Sequence, residues 1–482
     1  ARELLERAWD LDKSAPVTKN LLDLLDTLET FVTVEAPNMI FKFDKAEAAV
    51  MQVYAIPLAQ EAYETFQKRY GFTPKGPILI EVFPRHDDFA VRTLGLPGLV
   101  GALGACFGQV VTMDSPRALQ PGTFSWQATL WHEIAHVFTL QLSDYRVPRW
   151  LTEGLSTYEE HRRNPAWGRE LTLQYGQALA AKKNFGVKRL PEAFKEPQSL
   201  ALAYFESSLV VEHLMELGGD AGLRTLLGAY AAGDDDAEAI TKAYGQSLDA
   251  VDASFARFID ARYAALRAAM APPAGRVEAD DVAALRARAT AAPGNYVNQL
   301  TLGQALVRAG DLGAARGPLE RAAALAPQAS GDDSPHALLA QIAERENDAP
   351  RARREYRALL QANHENVGAA RRLLAVSADS ADDQDFALRL IADLDPFDAG
   401  VHGQLGRRLF TGSKFVEALR EFQASLALGP PNRAEAHADV AETFLKLGRR
   451  EEARKAALES LKEAPTFARA QDLLLEAMGR SW

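Results

Sequence analysis

Residues 131–140 read WHEIAHVFTL and set His132 and His136 four positions apart. On a helix that spacing puts both imidazoles on one face, about a turn apart, where they can grip one metal ion. Glu133 follows the first histidine and points beside such a metal, where its carboxylate can take a proton from a metal-bound water. With nine histidines in 482 residues, chance supplies about 0.01 such patterns per chain, so composition alone does not account for it. Apolar Trp126, Leu130, Ile134, Val137 and Leu140 predict a buried amphipathic helix over 124–142.

A catalytic zinc takes three protein ligands and keeps a fourth position open. Past a turn through Ser143 to Pro148 comes RWLTEGLSTYEE, with Glu153 near the start of the next helix. HExxH followed by a W-L-x-E-G segment resembles the gluzincin metallopeptidases of the peptidase MA-like kind, over about residues 36–270. The resemblance implies one Zn2+ per chain held by His132, His136 and Glu153, with Glu133 as general base of a zinc metallopeptidase. A structural or decayed remnant of such a site is the competing reading.

Imidazoles bound to a metal need acceptors for their other ring nitrogens. Thr157 and Glu160 stand at i+4 and i+7 from Glu153, on its face of the helix. Thermolysin-like enzymes carry an Asp at the i+4 place, so the Thr here makes Glu160 the better candidate; it reads equally well as an exposed acid in YEEHRR. For the developing oxyanion, LALAYFESSLVVEHLMEL resembles the Y-x-x-S helix of similar peptidases, which implies Tyr204 as the donor, with Ser207 a turn on. His213 and Tyr158 compete for that role. The other histidines, His86, His161, His336, His364, His402 and His437, read as surface or helix residues.

Peptides in this class lie along an edge strand. Gly108, Gln109, Val110 and Val111, in the glycine-studded GLVGALGACFGQVVTMD, are the expected substrate-binding stretch, although an interior strand fits too. Cys106, the single cysteine, reads as structural. No Gly-x-Met-Glu-Asn segment of the kind that captures a substrate's N-terminal amine precedes the motif; GACFGQ stands there, which favours an endopeptidase over an aminopeptidase.

The elements that must position these residues follow from the pattern. Strand-like runs at 38–44, 77–83 and 109–114 and a helix from Ala46 to Tyr70 that tolerates Pro57 form a strand-rich lobe, 36–120, ahead of a helical lobe, 121–270. Residues 1–35 read as helical, the possible end of an upstream repeat in a longer protein, and APPAGRVEAD at 271–280 as a linker. Beyond it Pro293, Pro327, Pro396, Pro430 and Pro465 recur at intervals of 34, 69, 34 and 35, with small-residue pairs such as Gly303 with Ala315 and Gly406 with Ala418. Small residues let paired helices cross closely. This resembles the tetratricopeptide repeat: about five repeats over 281–482 with a capping helix to Trp482, the unit between Asn363 and Pro396 fitting poorly. The expected fold class is an α+β zincin-like metallopeptidase domain, a small mixed sheet plus helices, followed by an all-α tetratricopeptide superhelix.

Fifty-four Lys and Arg against 65 Asp and Glu give a net charge of −11, which opposes phosphate and argues against nucleic-acid partners. The longest uncharged apolar stretch is too short for a transmembrane segment. One cysteine excludes internal disulfides and cysteine-based zinc sites. The expected partners are a peptide or protein substrate and a protein held in the repeat groove; a catalytically inactive scaffold whose repeats do the binding is the alternative. The resemblance favours an exported bacterial protein.

Overall fold

The computed structural model describes all residues except 1, 100, 169, 170, 274, 276 and 480–482. Helices α1 (Arg2–Leu11) and α2 (Pro16–Glu29) lead into β1 (Val32–Ala36), which turns at Pro37 and Asn38 into β2 (Met39–Phe43). The expectation of helix across 1–35 therefore fails at Val32, where a Val-Thr-Val run favours strand and Asn38 takes the left-handed φ of 61° that a two-residue turn needs. The helical stretch packs on the α+β part: Leu24 of α2 is buried with Phe83 and Phe89.

In β2, Met39, Phe41 and Phe43 face the core while Ile40 and Lys42 do not, the alternation a half-buried strand requires. α3 (Ala48–Tyr70) follows, then β3 (Ile78–Phe83), α4 (His86–Leu94), β4 (Gly104–Cys106) and β5 (Val110–Asp114). The sheet order is β1-β2-β3-β5-β4; β1 and β4 run antiparallel to their neighbours, and β2, β3 and β5 are parallel. It is a small mixed sheet with β4 on its outer edge.

Two long helices cover it. α3 carries small or aromatic residues inward at Ala55, Ala59, Ala62 and Phe66, and α5 (Trp126–Leu142) packs on it through Phe66 against Trp131 and Phe138, ring centroids 5.3 and 5.7 Å apart. α6 (Arg149–Arg163), α7 (Thr172–Ala180), the short α8 (Leu190–Ala193), α9 (Leu200–Ala232), α10 (Asp236–Tyr244) and α11 (Leu248–Ala269) complete this α+β part. Where α6 crosses α9, Gly154 lies so near Ser207 that a Cβ would sit 2.8 Å from its side chain. The glycine after Glu153 thus lets the two helices meet.

The rest is all-α. After α12 (Val282–Ala291) come five antiparallel pairs: α13 (Tyr296–Arg308) with α14 (Leu312–Leu325), α15 (Pro335–Arg345) with α16 (Ala349–Ala362), α17 (Val367–Ala375) with α18 (Ala381–Leu394), α19 (Ala399–Thr411) with α20 (Phe415–Ala427), and α21 (Arg433–Lys446) with α22 (Arg450–Glu463). A final helix, α23 (Ala468–Ala477), closes the series, and the expected end at Trp482 lies outside the described residues, as do Ala274 and Arg276 of the expected linker. Gly303 and Gly406 accept Leu319 and Phe422 of the paired helix, where a Cβ would come within 2.5 and 2.6 Å. The poorly fitting unit keeps its helix pair but with a short first member, α17.

These pairs are packed on the α+β part. Tyr296, Ala322, Ala326 and Ala329 belong to the same buried cluster as Tyr175 and Leu266. His402, read from the sequence as a surface or helix residue, is completely buried, with Tyr54 of α3 and Glu421 on its Nδ1 side at 3.2 and 2.7 Å. His364 falls in the turn between α16 and α17, where burial lowers its pKa to about 4.

Candidate metal centre

α5 begins at a Ser125 cap, whose hydroxyl accepts from Ala128 N–H at 3.2 Å. Two turns later His132 and His136 project toward α6, with Glu133 beside them. His132 Nε2 and His136 Nε2 lie 3.0 Å apart, and Glu153 Oε2 lies 3.2 and 3.1 Å from them. Among the described residues this is the one group of three His, Cys, Asp or Glu side chains whose ligand atoms come within 4.8 Å of one another.

The remaining ring nitrogens fix what those atoms can offer. His132 Nδ1 lies 2.5 Å from Glu160 Oε1, a carboxylate that only accepts, so Nδ1 carries the proton. His136 Nδ1 lies 2.8 Å from Thr152 Oγ1, which lies 2.8 Å from Thr139 Oγ1, which reaches the His136 carbonyl at 3.3 Å. A carbonyl accepts only; Thr139 therefore donates to it, Thr152 donates to Thr139, and His136 Nδ1–H donates to Thr152. In its neutral form each imidazole therefore has Nε2, which faces the Glu153 carboxylate, as its lone-pair atom. Three acceptors facing one another call for a cation.

The electrostatics express the same demand. Burial disfavours a charged His132, yet hydrogen bonds to Glu153 and Glu160 hold its pKa well above the usual imidazole range. Burial likewise disfavours a charged Glu153, but His136 and His132 hold its carboxyl well below the ordinary carboxylate range. The donor set of two imidazole nitrogens and one carboxylate oxygen suits a small divalent ion. Its 3.0 to 3.2 Å edges are close to the roughly 3.3 Å edge of a tetrahedron with bonds of about 2.0 Å.

Glu133 is buried beside this triad. Its Oε2 has no hydrogen-bond partner, and burial raises its pKa. Over it lies β4: a Cβ on Gly104 would sit 2.5 Å from Glu133 Oε1. Tyr204, on α9, stands on another side with its ring centroid 6.5 Å from that of His132. Arg149 Nη2 donates to the Tyr204 hydroxyl at 3.4 Å, and its Nε lies 3.5 Å from Glu153 Oε1. His213 is turned away toward Ser254 at 2.7 Å, and Tyr158 toward Arg162 at 3.2 Å.

Five expected residues are not where the pattern put them. No hydrogen bond joins Thr157 to either imidazole; the hydroxyl on His136 is that of Thr152, one position before Glu153. Gly108, Gln109, Val110 and Val111 are not an edge, because β5 is paired on both sides, by β3 and β4. Gly108 and Gln109 form the β4–β5 turn, tied to Gln141 and Lys75. The strand beside Glu133 is β4, and with it Gly104, Thr152 and Arg149 join the site. Arg149 and Thr152 flank the W-L pair of the motif itself, so their positions were readable, though their contacts were not.

The fold and the triad together define an α+β unit with a His-His-Glu metal-binding arrangement, followed by helix-pair repeats. Residues 59–261 match the model of the Peptidase MA superfamily. Comparison with curated proteins gives no match. Among solved structures, MamA is 22% identical over 30% of this chain and 81% of its own, with a TM-score of 0.26. YrrB, described as a TPR protein with an unusual peptide-binding site, is 17% identical over 39% and 97%, with a TM-score of 0.27. TTC0263, a TPR protein of Thermus thermophilus, is 21% identical over 38% and 98%, with a TM-score of 0.19.

Proposed function

We propose that this protein is a zinc-dependent metallopeptidase of the gluzincin type, acting as an endopeptidase, whose repeats recruit protein substrates or partners. One observation carries the reading: two Nε2 lone pairs and a carboxylate oxygen converge, with both Nδ1–H groups already committed to Glu160 and Thr152. His132, His136 and Glu153 would hold the ion. Zinc bound there supplies Lewis-acid polarisation of the scissile carbonyl and acidifies a bound water.

The chain's own groups do the rest. Glu133, buried and with a free Oε2, takes the proton of the attacking water and passes it to the leaving amine. Tyr204, with the Arg149 guanidinium on its hydroxyl, donates to the oxyanion. An extended peptide adds to the outer side of β4, placing its carbonyl over Glu133. No helix among the described residues is long and apolar enough to cross a membrane.

The test is zinc content by elemental analysis of the full chain, with Glu153→Gln and Glu133→Ala alongside. One zinc in the native chain, little in Glu153→Gln, and full zinc without hydrolysis in Glu133→Ala are the expected results. A native chain that takes up no zinc at neutral pH overturns the reading and leaves the repeats as the working part.

A further inference from the structure

We infer that the docked repeats brace the metal-binding helix, with Glu365 and Asp393 acting as positioning residues for the centre; this rests on the function proposed above. The first backbone N–H groups of any helix lack partners inside it. At the start of α5 the chain's distant half supplies an acceptor to the backbone N–H of the cap residue and two more to the side chains that follow it. Ser125 N–H donates to Glu365 Oε1 at 2.8 Å, Trp126 indole N–H to the Asp393 carbonyl at 2.8 Å, and Gln127 Nε2–H to Asp393 Oδ1 at 3.1 Å. Three consecutive residues are gripped by two. Gly122, at a φ of 82°, brings the incoming loop so close that a Cβ would lie 2.5 Å from the Glu365 carbonyl.

A carboxylate there also complements the positive end of the helix dipole. The flanks are fixed as well: Arg117 stacks over Phe397 at 4.2 Å, and Tyr54 donates to Glu421 at 2.9 Å. His132 lies six residues, roughly 9 Å, along α5 from Trp126. A helix is stiff over that span, so a shift at its start carries His132, Glu133 and His136 relative to Glu153, which rides on α6. The ligand triangle tolerates little such movement before its geometry suffers.

Which repeat does this is informative. Glu365 sits in the turn before α17 and Asp393 at the end of α18, so both belong to the unit that departs from the repeat's small-residue pattern. The pairs α13–α14 and α19–α20 also touch the α+β part, at Tyr175, Leu266 and Tyr54. The α17–α18 pair is shaped to meet α5.

The experiment uses the full chain with Glu365→Ala, Glu365→Gln and Trp126→Phe, which keeps an aromatic ring but loses the indole N–H. Zinc affinity is read by chelator competition, with melting temperature, kcat and KM beside it. Loss of a supporting hydrogen bond at a metal site costs on the order of 10-fold. Glu365→Ala is expected to weaken zinc and lower kcat by about that factor with KM little changed, Glu365→Gln to recover most of both, and Trp126→Phe to follow Glu365→Ala. Unchanged zinc affinity and kcat in Glu365→Ala, with only the melting temperature reduced, overturns the inference. Should that variant fail to fold, Trp126→Phe decides by the same readings. A native chain without zinc sinks the proposed function instead, which separates the two failures.

Discussion

Gly104 and Glu133 share one space: a methyl group on the glycine would overlap the carboxyl, 2.5 Å from Oε1. The edge strand and the Glu133 carboxyl are therefore set against each other with no room for a side chain between them. Gly104→Ala is expected to displace Glu133 and lower kcat about 100-fold, while elemental analysis still finds the zinc. An alanine variant with full activity would show that β4 does not hold Glu133 in place.

The partners of the two imidazoles differ in kind, a carboxylate on His132 and a hydroxyl relay on His136. Replacing either, by Glu160→Gln or Thr152→Val, leaves the three ligands intact but frees a ring. Zinc affinity is expected to fall about 10- to 100-fold in each. Thr157→Val, which removes a hydroxyl hydrogen-bonded to neither ring, is the control and should leave affinity unchanged.

Gly154→Ala would push α6 from α9 at Ser207, where 2.8 Å is available to the new Cβ. Overpacking of this kind costs about 1–3 kcal/mol. Urea unfolding should show that loss. Because Glu153 is the neighbouring residue, zinc affinity should drop with it.

Asp393 gives a pH dependence whose sign can be worked out. Burial raises its pKa from 3.8 to about 6, against the Gln127 hydrogen bond, with Glu421 raising it further and Arg420 and Arg389 opposing. A raised carboxyl stabilises the fold fully below its unfolded pKa, and that contribution is lost as pH climbs through the folded value. Asp393→Asn removes the titration. Between pH 4 and 7 the native chain should lose about 2 kcal/mol relative to this variant, read as the difference of two urea series. Parallel stability curves would mean that Asp393 titrates normally.

The parts legible in the sequence are those coded by local spacing. His132, Glu133, His136 and Glu153 fall on two successive helices joined by a short turn, so helical periodicity and one motif suffice to group them. The proline period likewise marks the helix pairs. The edge was expected at Gly108 to Val111 rather than a few residues earlier in the same glycine-studded segment, at β4, because Gly-Ala-Cys has no alternation of apolar and polar residues and owes its strand form to pairing with β5. Thr152 was hidden because a spacing rule names the face of a helix, whereas its role depends on the direction of three hydrogen bonds through Thr139. His402 and Glu365 were unreadable for another reason: their partners, Tyr54 and Ser125, lie 348 and 240 positions away.

That last separation has a consequence for the newborn protein. Ribosomes add about 5–20 residues per second, so α5 emerges on the order of 10–50 s before Glu365 exists to meet it. Through that interval the metal-binding helix has its ligands but not its brace. With Glu365 as that brace, the order of synthesis sets the order of assembly: the metal centre reaches its final geometry only when the distal half of its own chain has arrived.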